Sequence, residues 1–167
     1  QSSGSTDGGT SARVFGSFLS WMQEKLAPVF VVATANDVTA LPPEFLRKGR
    51  FDEMFFVDLP DAGERAQIWD IVIAKYGRTP AEFDSVLLAR ACEQFTGAEI
   101  EAVFSDALYA AFAHGREPTP TDILETLQHT VPLAQLMDGQ ISALRHWARG
   151  RTRDAGGTEP RSRNGDE

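Results

Sequence analysis

Residues 27–35, APVFVVATA, are a continuous apolar run rich in valine, with Pro28 near its start and Asn36 directly after it. A β-strand covered on both faces reads this way, as in a parallel sheet. Such a strand needs hydrogen-bonded neighbours along its edges and apolar cover on both sides, so it constrains the fold more than any other stretch. One other segment, Met54 to Pro60 (MFFVDLP), has the same buried-strand character. A doubly wound sheet normally has about five strands with helices on both faces. Residues 1–60 are therefore expected to be an incomplete, C-terminal half of such an α/β sheet.

Around these strands the patterns are helical. From Arg13, the residues Phe15, Phe18, Leu19, Met22 and Leu26 recur at spacings of three and four, which places them on one helix face. The stretch before them, QSSGSTDGGTSA, has the composition of a flexible loop. Pro42 and Pro43 open a short helix, Pro43 to Leu46, that Gly49 closes. After Pro60 only helices are expected. Asp61 with Glu64, and Thr96 with Glu99, form capping-box patterns. The first leads into Ile68, Ile71 and Val72, and the second into Ile100, Val103, Phe104, Ala107, Leu108, Ala111 and Phe112. Asp84 starts a helix with Val86, Leu87, Leu88 and Ala91 as its apolar members, and Thr119-Pro120-Thr121-Asp122 caps one carrying Ile123, Leu124 and Leu127. A last short helix is expected from Asp138 to Ala148. The chain thus divides into an α/β part (1–60), a four-helix unit (61–130), a helical extension (131–149) and a disordered tail (150–167).

Composition excludes several classes. With 42% apolar residues in 167, the chain can bury a sizeable core, yet no window holds the roughly 18 uninterrupted apolar residues of a membrane span. No signal-like start is present. Cys92 stands alone, which rules out an internal disulfide, and one cysteine with three histidines argues against a structural zinc site. Residues 1–144 carry a net charge of −10 and residues 145–167 a net of +2. An acidic body of this kind disfavours phosphate-backbone binding, so nucleic acid is not expected as a partner. The Gly/Arg/Asp-rich tail is expected to be solvated rather than a binding element.

The chemistry sits between the strands. Asn36 lies at the carboxyl end of the apolar run, where ligands bind in open parallel sheets. Its amide can donate to a phosphate oxygen and accept from a water at once, or it can cap the following turn. Arg47 and Arg50 flank a Lys-Gly turn after the short helix. A guanidinium held there can neutralise charge on a transferring phosphoryl group, or be one of a surface pair favoured by a helix C-terminus.

Taken together, Asn36, Arg47 eleven residues on, Gly49-Arg50-Phe51-Asp52 and a strand ending in Asp58-Leu59-Pro60 resemble the second half of an AAA ATPase module. The resemblance implies that Asn36 is the sensor 1 asparagine, and that Arg47 and Arg50 are arginine fingers entering a neighbouring subunit's nucleotide site. TGAEIEAV, from Thr96, is similar to the start of a helix in the family's C-terminal lid. There Gly97 and Ala98 would pack against adenine and ribose, since their lack of bulk lets a flat base approach. The resemblance extends from about Thr10 to Trp147. Within the family, SARVFGSFLSWMQEK, LPPEFLRKGRFDE and TVPLAQLMDGQISALRHWARGR look most like a member encoded in plastid and cyanobacterial genomes. It implies ATP and Mg²⁺ as cofactors and neighbouring AAA subunits in a homo-oligomeric ring, expected to be a hexamer. It further implies a protein substrate of unknown identity and a cytoplasmic or plastid-stroma location, with no membrane partner.

Two parts of that machinery are missing from the chain. No G-x-x-x-x-G-K-[ST] occurs, and Lys25, Lys48 and Lys75 all lie outside any Gly-rich loop. MFFVDLP places Leu59 where a catalytic Glu would follow Asp58, so it is not a metal-binding strand of the usual kind. The first residue is Gln1 rather than Met, and the expectation is a chain cut from something longer, inactive alone, whose phosphate and metal ligands lie upstream. Two other classes compete: a non-catalytic module that docks on intact AAA subunits and donates Arg47 and Arg50, and a nucleic-acid-associated ATPase, favoured only by the Arg-rich tail.

Overall fold

The structure, a computed structural model, describes residues 6–47 and 49–156. Lys48, the first five residues and most of the expected tail lie outside it. The chain divides into two compact units, Gln1–Met54 with Gly150–Arg153, and Phe55–Arg149 with Asp154–Glu167.

In the first unit, α1 spans Thr6–Glu24 and so begins well before Arg13, within the stretch expected to be a loop. Once a helix is nucleated each further residue adds one backbone hydrogen bond, which can offset the roughly 1 kcal/mol cost of a glycine. A 3₁₀ turn follows at Pro43–Leu46, with Phe45 buried. The Phe45 ring meets Phe15 edge-on at 5.1 Å and stacks with Phe18 at 6.1 Å and Phe51 at 6.3 Å. The expected α1 face is thus in use, except that Leu26 lies past the helix end and is fully exposed.

The run at 27–35 is not a strand. It carries no regular secondary structure and no ladder partner among the described residues, and Val29, Phe30 and Val32 are 49%, 92% and 76% exposed. A helix closes its own backbone hydrogen bonds, whereas a strand depends on neighbours for both bonds and cover. Of Met54 to Pro60, only Phe55–Phe56 (β1) is a strand. It pairs with Arg153–Asp154 (β2), inside the segment expected to be disordered. In the first unit Arg153 N donates to Met54 O, and in the second Ala155 N donates to Phe56 O, each at 2.9 Å. Both strands advance by two residues in the same sense, which makes the pairing parallel.

The second unit is helical. α2 (Ala62–Lys75), α3 (Ser85–Ala91), α4 (Gly97–Ala113) and α5 (Pro120–Gln128) pack together, and α6 (Leu133–Leu136) and α7 (Asp138–Ala148) follow. The expected capping boxes form at Asp61/Glu64 and Thr96/Glu99, and another at Thr119/Asp122. The core is built from Trp69, Ile73, Leu88, Ile100, Val103, Phe104 and Ile123, all at 0–1% exposure. Full burial of such side chains contributes about 1.5–3 kcal/mol each. The apolar face of α2 is turned from the expected one, for Ile71 is 66% exposed while Trp69 and Ile73 point inward. On α3, Leu88 is buried, but Val86 and Leu87 are exposed. Buried Arg65 is satisfied by carbonyls, with Nε donating to Ala89 O at 3.0 Å and Nη1 to Pro60 O at 2.7 Å.

Two predictions follow from this architecture. Because Phe30 and Val32 are exposed on a segment without ladder partners among the described residues, the isolated chain should self-associate. Phe30→Ser with Val32→Ser should shift it towards monomer in sedimentation velocity, and an unchanged profile would mean another surface is responsible. Asp122 receives a fork from Arg116 at 2.6 and 2.7 Å as well as both Thr119 donors, and the Arg116 guanidinium first, then Thr119, hold its carboxyl far below the usual range. A depressed folded pKa contributes stability above the unfolded value, near about 4, and loses it as pH falls below that. Asp122→Asn should therefore cost about 1 kcal/mol near neutral pH, the scale of a helix cap. The gap from the parent should narrow by pH 3 in denaturant melts, and an equal gap at both pH values would remove Asp122 from the acid limb.

Candidate functional site

In the first unit, Asn36 is exposed at the end of the apolar run, and among the described residues its side chain makes no hydrogen bond. The turn after it is capped instead by Asp37, whose Oδ1 accepts from Thr39 Oγ1 at 2.6 Å and Thr39 N at 2.8 Å. The Thr39 hydroxyl, and then its amide, hold the Asp37 carboxyl below its ordinary range. The turn-capping role open to Asn36 is thus filled by its neighbour.

Arg47 ends the 3₁₀ turn in extended conformation and is exposed. Its carbonyl accepts from Arg50 N at 3.4 Å. Gly49 lies between them at φ +88°, a left-handed conformation that a side chain would strain. This turn gives the two arginines different settings. Arg47 is displayed, whereas Arg50 is half-buried, and with the Gln23 amide turned oxygen-first, Gln23 Oε1 accepts from Arg50 Nη2 at 2.9 Å. Sequence reading missed Gln23. The available signal was its position four residues after Leu19, one helical turn on along α1, although Gln23 itself is exposed.

In the second unit, Gly97 and Ala98 are the first two residues of α4, behind the Thr96 cap. A Cβ on Gly97 would meet Ile68 side-chain carbons at 3.8 and 3.9 Å, an ordinary contact, so packing alone does not require glycine there. Ala98 is exposed. The next residue, Glu99, uses its two oxygens separately. Oε2 accepts from Thr96 Oγ1 at 2.7 Å and Thr96 N at 2.8 Å, and Oε1 accepts from Leu133 N at 2.7 Å. Burial pushes this carboxyl up, but the bonds from Leu133 and Thr96 outweigh it and hold it below the usual range. Elsewhere in this unit Arg145 donates a fork to Asp58, with Nε at 3.0 Å from both oxygens and Nη2 at 2.8 Å from Oδ1.

Asn36, Arg47 and Arg50 therefore belong to one unit, and Gly97 and Ala98 to the other. Among the described residues no group of three His, Cys, Asp or Glu is placed to hold a metal ion. With no P-loop in the sequence either, these residues do not by themselves fit a triphosphate or Mg²⁺. What they offer is an amide, two guanidinia on one turn and a small-residue helix start.

Residues 1–59, which include Asn36, Arg47 and Arg50, match the ATPase family associated with various cellular activities (AAA). The chain is 47% identical over 143 residues to the uncharacterized AAA domain-containing protein ycf46 of Guillardia theta, covering 85% of this chain and 28% of that protein. Against the ycf46 protein of Pyropia yezoensis it is 48% identical over 151 residues, covering 89% and 31%. A proteasome-activating nucleotidase of Saccharolobus solfataricus is 34% identical over 105 residues, covering 62% of this chain and 26% of that protein. Residues 1–59 thus carry AAA ATPase family sequence, and most of the chain is similar to the ycf46 proteins. It spans less than a third of the length of these relatives. No helix among the described residues is long and apolar enough to cross a membrane.

Proposed function

We propose that this chain supplies the C-terminal part of an AAA ATPase that assembles as a homo-oligomeric ring, a hexamer, and couples ATP hydrolysis to remodelling of a protein substrate. Asn36 acts as sensor 1 in its own subunit, and Arg47 and Arg50 act as fingers on the neighbour's nucleotide. The α2–α5 helices serve as the lid, with Gly97 and Ala98 against the base. The observation that carries this reading is the pattern of Asn36, Arg47, Gly49 and Arg50 within the family-matched residues 1–59. The exposure of Asn36 and Arg47, with turn capping left to Asp37, supports it, because both side chains are available to a ligand. The phosphate cradle and Mg²⁺ carboxylates would come from sequence outside the chain. Bound ATP with Mg²⁺ supplies the transferable phosphoryl group, and this chain's part is to place an amide and positive charge where the transition state needs them. Protein remodelling is supported by the similarity to a proteasome-activating nucleotidase.

A second reading, a non-catalytic module that docks on intact subunits and donates its arginines, is favoured by the lack of a cradle in the chain. An in-frame P-loop lysine in the coding sequence ahead of Gln1 would exclude it.

In the full-length protein, Arg47→Ala should reduce turnover by at least about 10³-fold while ATP affinity changes little, since a finger acts on the transition state. Equal losses of binding and turnover would make Arg47 structural. Asn36→Ala should also cost more in kcat than in affinity, and an unchanged rate would remove it from the site. Steady-state hydrolysis and equilibrium nucleotide titration on the same preparations separate these outcomes.

A further inference from the structure

We propose that Glu99 is a positioning residue through which the helical extension, residues 131–148, sets the placement of Gly97 and Ala98 against nucleotide. This rests on the reading of Gly97 and Ala98 given above.

A capping box needs only one acceptor oxygen from its acidic member. At Glu99, Oε2 takes both Thr96 donors, which leaves Oε1 for the backbone N–H of Leu133. That N–H opens α6, where a helix has no internal acceptor for it. One carboxylate therefore joins the first turn of α4 to a segment 34 residues further on. The extension is held again near its far end, where Arg145 forks onto Asp58.

Between these anchors the extension contributes little to the core. Pro132, Ala134 and Ala148 are buried, but Val131, Leu133 and Leu136 are 62%, 51% and 73% exposed. α6 and α7 pack only sparsely on α2–α5, and the anchors at Leu133 and Arg145 are polar. Segments held by few apolar contacts open locally at small cost. The start of α4 thus has a second restraint beyond its own cap, and that restraint can be released without unfolding the helices. Gly97 and Ala98 sit in the same turn as Glu99, so the bond to Leu133 acts where a base would be met. Binding geometry is sensitive to displacements of about 0.5 Å.

Two variants in the full-length protein separate the strap from the cap. Leu133→Pro removes the donor alone. The position is the first of a helix, where proline is accepted, and Pro132 before it is already extended at φ −66° and ψ 139°. Glu99→Gln can serve the capping box with its amide oxygen, but the amide nitrogen then facing Leu133 N–H is a donor and cannot accept it. Each should raise the KM for ATP roughly three- to ten-fold, the scale of one net hydrogen bond, with kcat within about two-fold, as expected for uniform binding. The double variant should be no worse than either single one. Amide exchange at residues 97–100 without nucleotide should quicken in Leu133→Pro. A KM unchanged by Leu133→Pro in a parent that hydrolyses ATP, or effects that multiply in the double variant, would overturn the proposal alone. A parent that binds no ATP would overturn the function reading along with it.

Discussion

Phe104 stands at the middle of the helical unit, and three other rings meet it edge-on. Trp69 lies at 6.4 Å, Tyr76 at 5.6 Å and Phe83 at 5.9 Å between centroids. Edge-to-face pairs of this kind contribute about 0.5–1.5 kcal/mol each beyond the area they bury. They also fix α4 in rotation, because a ring wedged among three others admits one orientation. Gly97 lies seven residues earlier, two helical turns along the same axis. The small-residue start of α4 is therefore carried on a rod whose middle is clamped, which is the rigid support that a binding surface needs.

The first unit has a different balance. Among its described residues Phe45 is the one buried side chain, and the apolar run after α1 lies open. The contrast follows from how the two kinds of element meet their needs. Four amphipathic helices can cover one another, and three of them begin with a box that satisfies their own first amides. An extended valine-rich segment can do neither for itself.

Legibility in the sequence followed the same division. Capping boxes were readable because both partners lie within one turn, and α7 was placed from Asp138 to Ala148 by its local pattern. The stripe on α4 was largely right, although Phe112 is 80% exposed, because it lies off the buried face that Ala107 and Ala111 continue. On α2 the isoleucine at 71 misled, since Trp69 dominates the packing and turns the face. The strand at 27–35 was misread for a deeper reason, because burial belongs to the neighbours as much as to the segment. At the candidate site, residue types and their spacing were visible. The bonds from Arg50 to Gln23, Leu133 to Glu99 and Arg145 to Asp58 were not, for no periodicity links positions as far as 87 apart.

The end of the described chain is attached partly through its backbone. β2 is held through backbone amides at Arg153 and Ala155, and Arg153 also pairs with Glu53 at 3.0 Å. A union made of peptide groups is indifferent to most of the letters written at those positions. The departure point of the Arg-rich tail is consequently a property of the fold, and the composition of whatever follows it can drift while its origin beside Met54 and Phe56 stays put.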